Sequence, residues 1–332
     1  MISKSLLHRA AQQNIIEPGQ VDPLYQFIQN QESDELIDCG GEPLKFVRGF
    51  GDVFITLGIV LLVVAINLSN LSGYNYLIPV AGFIGLSEWL VRVRKLALPG
   101  IAILISILFF VNKAVPFGGD NTAFIGLAVV SVTSLAFYYR YKMPFSLLPL
   151  AASLVAMIAI QIGVDVLQKP VLFVVFGMIV FAIAFWFDSQ DTVRKSHLSD
   201  NAFWLYLLAS PLIVHGVMVS LLISDQAVVV FLSNEVLMIV FFLMFFLLAL
   251  LIDRRAILIS TQLYVIYALT QILQEELSSS QNVLIYILVG LGLFVIYFGT
   301  YWYKSRRMIF GSLKGGFICR YIPDFNTEDV MK

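Results

Sequence analysis

The chain has 332 residues, 59% of them hydrophobic and 13% charged, with a mean hydropathy of +0.87. A water-soluble domain is nearer half apolar and a quarter charged, so a soluble fold cannot hide this much apolar surface. The 21 Lys and Arg against 22 Asp and Glu leave a formal charge of -1, which gives nucleic acid no electrostatic footprint to bind.

Residues 1–46 are polar and mixed. They lack a charged segment followed by an apolar run and a small-residue cleavage site, so the N-terminus is expected to stay in the mature protein. Leu6, Leu7, Ala10 and Ala11 stand at helical spacing, Pro18-Gly19 breaks the pattern, and Asp22 and Pro23 read as N-cap and first residue of a second helix carrying Leu24, Phe27 and Ile28. The expectation is a small helical hairpin, followed by the acidic connector "QESDELIDCGGEP", that packs on neighbouring loops or docks a protein partner.

About ten apolar runs follow, each near the ~20 residues that a helix needs to cross a bilayer. They lie at 51–68, 75–91, 96–112, 122–139, 146–164, 169–187, 203–222, 232–252, 256–274 and 282–302. Alternate connections carry the basic residues: Arg92, Arg94 and Lys95; Arg140 and Lys142; Arg194 and Lys195; Arg254 and Arg255; Lys304, Arg306 and Arg307. With Lys4, Arg9, Lys45, Arg48, Lys314, Arg320 and Lys332, this puts all 21 Lys and Arg except Lys113 and Lys169 on one side. The positive-inside rule makes that side cytoplasmic and both termini internal. The predicted organisation is therefore all-α: a cytoplasmic hairpin and connector over 1–46, a ten-helix transmembrane domain over 47–303, and a cytoplasmic tail over 304–332. Trp89, Trp186, Trp204 and the Tyr301–Tyr303 run fall near span ends, where amphipathic rings favour the interface. Cys39 and Cys319 fall on the cytoplasmic side, so no disulfide is expected.

No HExxH, GxSxG, Walker loop or paired CxxC occurs, so no catalytic, cofactor-binding or metal-binding residue is assigned and no cofactor is expected. Asp188, Asp191, His197 and Asp200 gather in "FDSQDTVRKSHLSDN", but their spacing fits no metal motif and the segment reads as a solvated connection. Asp52 with Arg48, Glu88 with Arg92, and Asp165 with Lys169 are pairs four residues apart near a membrane surface, and read as anchors. Gln161, Gln262, Thr270 and Gln271 suit hydrogen bonds between helices.

His215 and Glu235 remain. His215 lies about 18 Å along the seventh run, slightly past the midplane, one turn after Pro211, which removes a backbone hydrogen bond and bends a helix. Its own helix offers no polar neighbour on the same face, so a partner must come from another helix. Glu235 begins the eighth run in the same outer half. His215, Glu235 and Pro211 thus form the candidate intramembrane polar site, read either as a functional group or as a histidine satisfied by a neighbouring helix.

The stretches "AAQQNIIEPGQVDPLYQFI", "SEWLVRVRKLALPGI", "DNAFWLYLLASPLIVH" and "DRRAILISTQLYVIYAL" resemble a group of bacterial integral inner-membrane proteins of unknown function. The resemblance implies the architecture and a bacterial cytoplasmic membrane, and assigns no residue a role. A small-solute transporter or channel is the favoured reading, consistent with two halves of five spans. A non-catalytic scaffold or accessory subunit, docking a partner through the hairpin, is the alternative, and a membrane enzyme stands third. Besides the lipid bilayer, the hairpin's protein partner is the one interaction expected.

Overall fold

A computed structural model describes residues 16–27, 49–69, 71–114, 122–163, 169–192, 197–223, 234–259, 261–276, 282–311 and 321–322, with Leu7, Ala11 and Gln13. Among these there is no strand. In a lipid environment a chain must satisfy its backbone internally, and long runs of Leu, Ile, Val and Phe do so as helices. Among the described residues the ten longest helices are α1 (Phe50–Leu68), α2 (Leu77–Ser87), α3 (Ala97–Ala114), α4 (Thr122–Tyr141), α5 (Leu147–Gln161), α6 (Pro170–Ser189), α7 (His197–Ile223), α8 (Asn234–Ile252), α9 (Gln262–Glu276) and α10 (Asn282–Phe310). A 3-10 turn (Gly73–Tyr76) leads into α2 and a π-turn (Glu88–Val93) extends it.

Each helix coincides with one of the apolar runs. Eight helical segments among the described residues are long and apolar enough to cross a membrane. The other two are α8, whose apolar stretch is Val236–Ile252, and the 15-residue α9.

Three of the helices that end at basic connections stop with tight turns. Lys95, Lys142 and Asp253 take left-handed conformations, with φ of 54, 53 and 60 degrees. After α8, Asp253 occupies the left-handed position while the Arg254 N–H donates to the Ala249 carbonyl at 2.9 Å, closing the helix in a Schellman motif. Proline marks starts: Pro170 is the first residue of α6, where its missing N–H costs nothing.

Packing divides the bundle. An amino-terminal core joins α1 to α4 through Ile59, Phe83, Ile103, Phe110, Phe137 and Met143. A carboxy-terminal core joins α6 to α10 through Ala184, Tyr206, Met218, Phe246, Leu250 and Trp302. The Phe145 ring, edge-on to Trp204 at 4.8 Å, and the Asn201 amide, donating to the Tyr138 hydroxyl at 2.9 Å, tie the two together. The closest crossing is α6 on α7. A Cβ built on Gly177 would lie 2.9 Å from the Ile213 nitrogen, and one on Gly216 would lie 2.7 Å from the Pro170 carbonyl oxygen. Only glycine lets the backbones approach so closely.

Three expectations change. In the amino-terminal segment a 3-10 turn at Pro18–Gln20 runs directly into helix 21–27, so Glu17 is the cap and Asp22 and Pro23 lie inside the first turn. Gln20 donates its N–H to the Glu17 carbonyl at 2.9 Å and accepts the Glu17 N–H on its side chain at 3.3 Å, which makes the earlier start the better satisfied one. At the other end, α10 continues past 303 to Phe310, with a non-helical Tyr301 (φ -104, ψ 24) rotating the last two turns. Trp302 is consequently buried within the bundle, at the end that carries the basic connections. Lastly, the run 256–274 is not one helix: a single turn, Ala256–Ile259, precedes α9. Cys39, Cys319, Arg48 and Asp165 lie outside the described residues.

Candidate functional site

His215 is half-buried on α7, and its Nδ1 lies 2.5 Å from the Tyr264 hydroxyl of α9. The two rings are tilted, with centroids 6.3 Å apart. The partner thus comes from a neighbouring helix, as the absence of a polar neighbour on α7 requires. Either group can donate in this pair, depending on the imidazole tautomer. Pro211 is exposed on the outside of α7, which remains helical through it. Glu235 is the second residue of α8, and its side chain lies outside the described residues.

The backbone beside this pair is irregular. The Thr261 N–H turns back to the Leu258 carbonyl at 3.2 Å, in a tighter three-residue step, so the Ile257 carbonyl loses its usual partner at Thr261. Ser210 on α7 supplies the replacement, donating its hydroxyl to the Ile257 carbonyl at 3.2 Å. Ser210 and His215 therefore grip the interrupted helix on either side of its break, one through the freed carbonyl and the other through Tyr264, one turn farther on. Thr270, in contrast, bonds the Ile266 carbonyl of its own helix and does not bridge helices. The cross-helix hydroxyl pair is instead Ser131 with Ser153, 2.8 Å apart between α4 and α5.

A second polar assembly closes the basic end of the carboxy-terminal core. Asp188, expected in a solvated connection, is 3% exposed. Arg254, 2% exposed, donates to both of its oxygens, from Nη2 at 2.6 Å and from Nε at 3.3 Å. Arg254 Nη2 also meets the Ser199 hydroxyl at 2.7 Å and the Ser199 carbonyl at 3.1 Å. Asp188 is the buried residue in the last turn of α6, and the Schellman turn after α8 brings Arg254 to it. A buried charge must be paired and hydrogen-bonded, and this one is. Next to it, the Trp302 indole donates to Asp253 at 2.7 Å. Arg306 gives its guanidinium to the Leu250 and Leu251 carbonyls at 2.9 and 3.2 Å, capping the negative end of α8.

In the amino-terminal lobe the anchor expected between Glu88 and Arg92 forms at 3.2 Å, and Arg140 of α4 joins it with two bonds at 2.9 and 3.1 Å. Among the described residues no group of three or more His, Cys, Asp or Glu could hold a metal ion.

Tyr264, Ser210 and the Asp188–Arg254 pair were not singled out by sequence. Two signals point to them: the polar triplet Ser260-Thr261-Gln262 inside an expected span, and Asp188 following an apolar run with no polar spacer. No family model, curated protein or solved structure matches the chain.

Proposed function

We propose that the chain is a ten-span protein of a bacterial cytoplasmic membrane, with both termini inside, that conducts or transports a small solute along the seam between α7 and α9. The observation that carries this reading is the interrupted helix at Ile257–Thr261 set against His215 and Tyr264. Irregular backbone at membrane depth is tolerated where it is packed in protein or lines a water-filled path, and broken helices bearing ionisable partners are the usual form of such a path. Glu235, at the start of α8, is the proposed carboxylate of the same seam.

The orientation is supported by how the helix ends meet. Glu88 with Arg140, Tyr138 with Asn201, Asp188 with Arg254, and Arg306 with the end of α8 all join ends that carry basic connections, whereas Lys113 and Asn67 meet at the opposite ends of α3 and α1. The scaffold alternative draws less support. It would rest on the amino-terminal segment, where Val21 is buried against the chain and Phe27 stays 58% exposed for a partner.

Orientation is tested by reporter fusions. Those after Asn70, Asp120, Gln168, Asp225 and Ser279 are expected outside, and those after Lys95, Lys142, Lys195 and Arg255 inside; one reproducible reversal breaks the ten-span map. Transport is tested in proteoliposomes by stopped-flow swelling with urea and glycerol and by a trapped pH dye under an imposed potential. The expected result is flux of at least one probe well above that of empty liposomes, reduced about tenfold or more in His215→Ala. Wild-type flux equal to empty liposomes for every probe removes the reading.

A further inference from the structure

A cleft of about 410 Å³ opens between α1 and α3, lined by Val60, Val63, Val64, Ile101, Ile105 and Phe109 together with two hydroxyl residues. The protons of those hydroxyls are already spent. Thr56 donates to the Asp52 carbonyl at 2.7 Å and Ser106 to the Ala102 carbonyl at 2.6 Å, each on its own helix. The cleft therefore offers water no donor, and with the rest of its lining apolar a space of this kind stays dry. Hydrocarbon is the occupant its chemistry accepts.

One end of the cleft is polar. One turn beyond Val64 on α1 stands Asn67, and one turn beyond Phe109 on α3 stands Lys113. The Lys113 ammonium donates to the Asn67 side-chain oxygen at 2.5 Å. It also lies over the rings of Phe109 and Tyr76, at 4.8 and 5.5 Å from their centroids. These rings hold the ammonium beside the end of the cleft that Phe109 lines. An ammonium carries three N–H donors and a carboxamide two, so the pair presents a cation and several donors after forming its own bond.

We propose that this is a binding site for an anionic phospholipid, with one acyl chain in the α1–α3 cleft and the phosphate on Lys113 and the Asn67 amide. The dimensions agree. Thr56 to Val64 extends about 12 Å along α1, close to the roughly 15 Å of one leaflet's hydrocarbon. Among the basic residues Lys113 is one of two placed at the end away from the basic connections, so the site selects lipid charge where the rest of the surface has little to offer it. This inference is independent of the transport reading.

The test uses the full chain purified in neutral detergent, with retained lipid counted by native mass spectrometry and the melting temperature followed by intrinsic fluorescence. The probes are phosphatidylglycerol, phosphatidylcholine with the same chains, and glycerol 3-phosphate. Phosphatidylglycerol is expected to be retained and to raise the melting temperature, phosphatidylcholine to do so more weakly, and glycerol 3-phosphate not at all. Lys113→Gln should weaken phosphatidylglycerol binding about fivefold and erase its advantage over phosphatidylcholine, and Lys113→Arg should restore it. Ala102→Phe, which fills the cleft and leaves Lys113 in place, should abolish retention of both lipids. An undiminished phosphatidylglycerol preference in Lys113→Gln, equal stabilisation by glycerol 3-phosphate, or full retention in Ala102→Phe would each overturn the proposal. If Ala102→Phe fails to fold, Ile105→Trp takes its place with the same expectation.

Discussion

The two lobes of the bundle differ in where they place charge. In the amino-terminal lobe Glu88, Arg92 and Arg140 meet at the rim, keeping 36%, 58% and 48% of their side chains exposed, and Asp52 is the one buried charge among the described residues of that lobe. In the carboxy-terminal lobe Asp188, Asp253, Arg254 and Arg306 are all buried, and each bonds a group on another helix or the carbonyls at a helix end. An exposed pair gains little because solvent already screens it, whereas a buried pair becomes indispensable once formed, since removing either member strands the other in a low dielectric. The carboxy-terminal lobe thus holds its helix ends in fixed relation through charges. The amino-terminal lobe leaves its outermost helix, α1, largely exposed along an apolar cleft.

The sharpest way to break this comparison is to remove one charge from each lobe. Asp188→Ala and Arg254→Met should each cost about 3–5 kcal/mol, measured by denaturation of the purified protein in detergent. The double variant Asp188→Leu with Arg254→Met should cost much less than the two losses added, because no lone charge remains. Glu88→Gln should fall well short of either single loss. If Glu88→Gln proved as damaging as Asp188→Ala, the distinction between rim and core charges would fail.

The helices were legible because long apolar runs satisfy their backbone in a bilayer only as helices, and eight helical segments among the described residues are long and apolar enough to cross one. The Glu88–Arg92 anchor was legible because its two members share a helix face. Asp188 with Arg254 was not, since 66 residues separate them and their meeting depends on a turn that local patterns do not encode, the left-handed Asp253 before Arg254. The burial of Trp302 was hidden for a similar reason, because its direction is set by the non-helical Tyr301 before it. At the candidate site His215 was visible as an ionisable residue in lipid, and its partner was not. Tyrosine in a membrane helix is common, and only the break at Thr261 places Tyr264 opposite the histidine.

A second prediction sharpens the packing side of the comparison. In the carboxy-terminal lobe Gly216→Ala drives a Cβ to within 2.7 Å of the Pro170 carbonyl oxygen and 2.9 Å of the Val174 nitrogen, both backbone atoms that cannot rotate away. The helices must separate, at a cost of about 1–3 kcal/mol. In the amino-terminal lobe a Cβ on Gly82 meets nothing within 4 Å. There Gly82→Ala should stabilise by about 0.5–1 kcal/mol, because alanine loses less backbone entropy in a helix interior. The same substitution is thus expected to change sign between lobes in a denaturation experiment. Equal effects would mean that the close α6–α7 crossing does not persist in detergent.

The smallest expected effect concerns the hydrogen bond that links α7 to α9. Polar contacts inside membrane bundles are modest, since the reference state in lipid also finds partners, and coupling energies average about 0.6 kcal/mol with a maximum near 1.7. His215→Ala, Tyr264→Phe and the double variant should therefore yield a coupling of about 0.6–1.7 kcal/mol. Nδ1 is taken by Tyr264, which leaves Nε2 as the ring atom with which a carboxylate could engage. A parallel cycle of His215→Ala with Glu235→Ala measures whether Glu235 does so, and the proposed seam requires nonzero coupling there too. Coupling confined to Tyr264 would remove Glu235 from the site and keep the α7–α9 contact. If neither cycle showed coupling, the bond would not hold in solution, and the interrupted helix would lose the side-chain partner that distinguishes it from an ordinary packing defect.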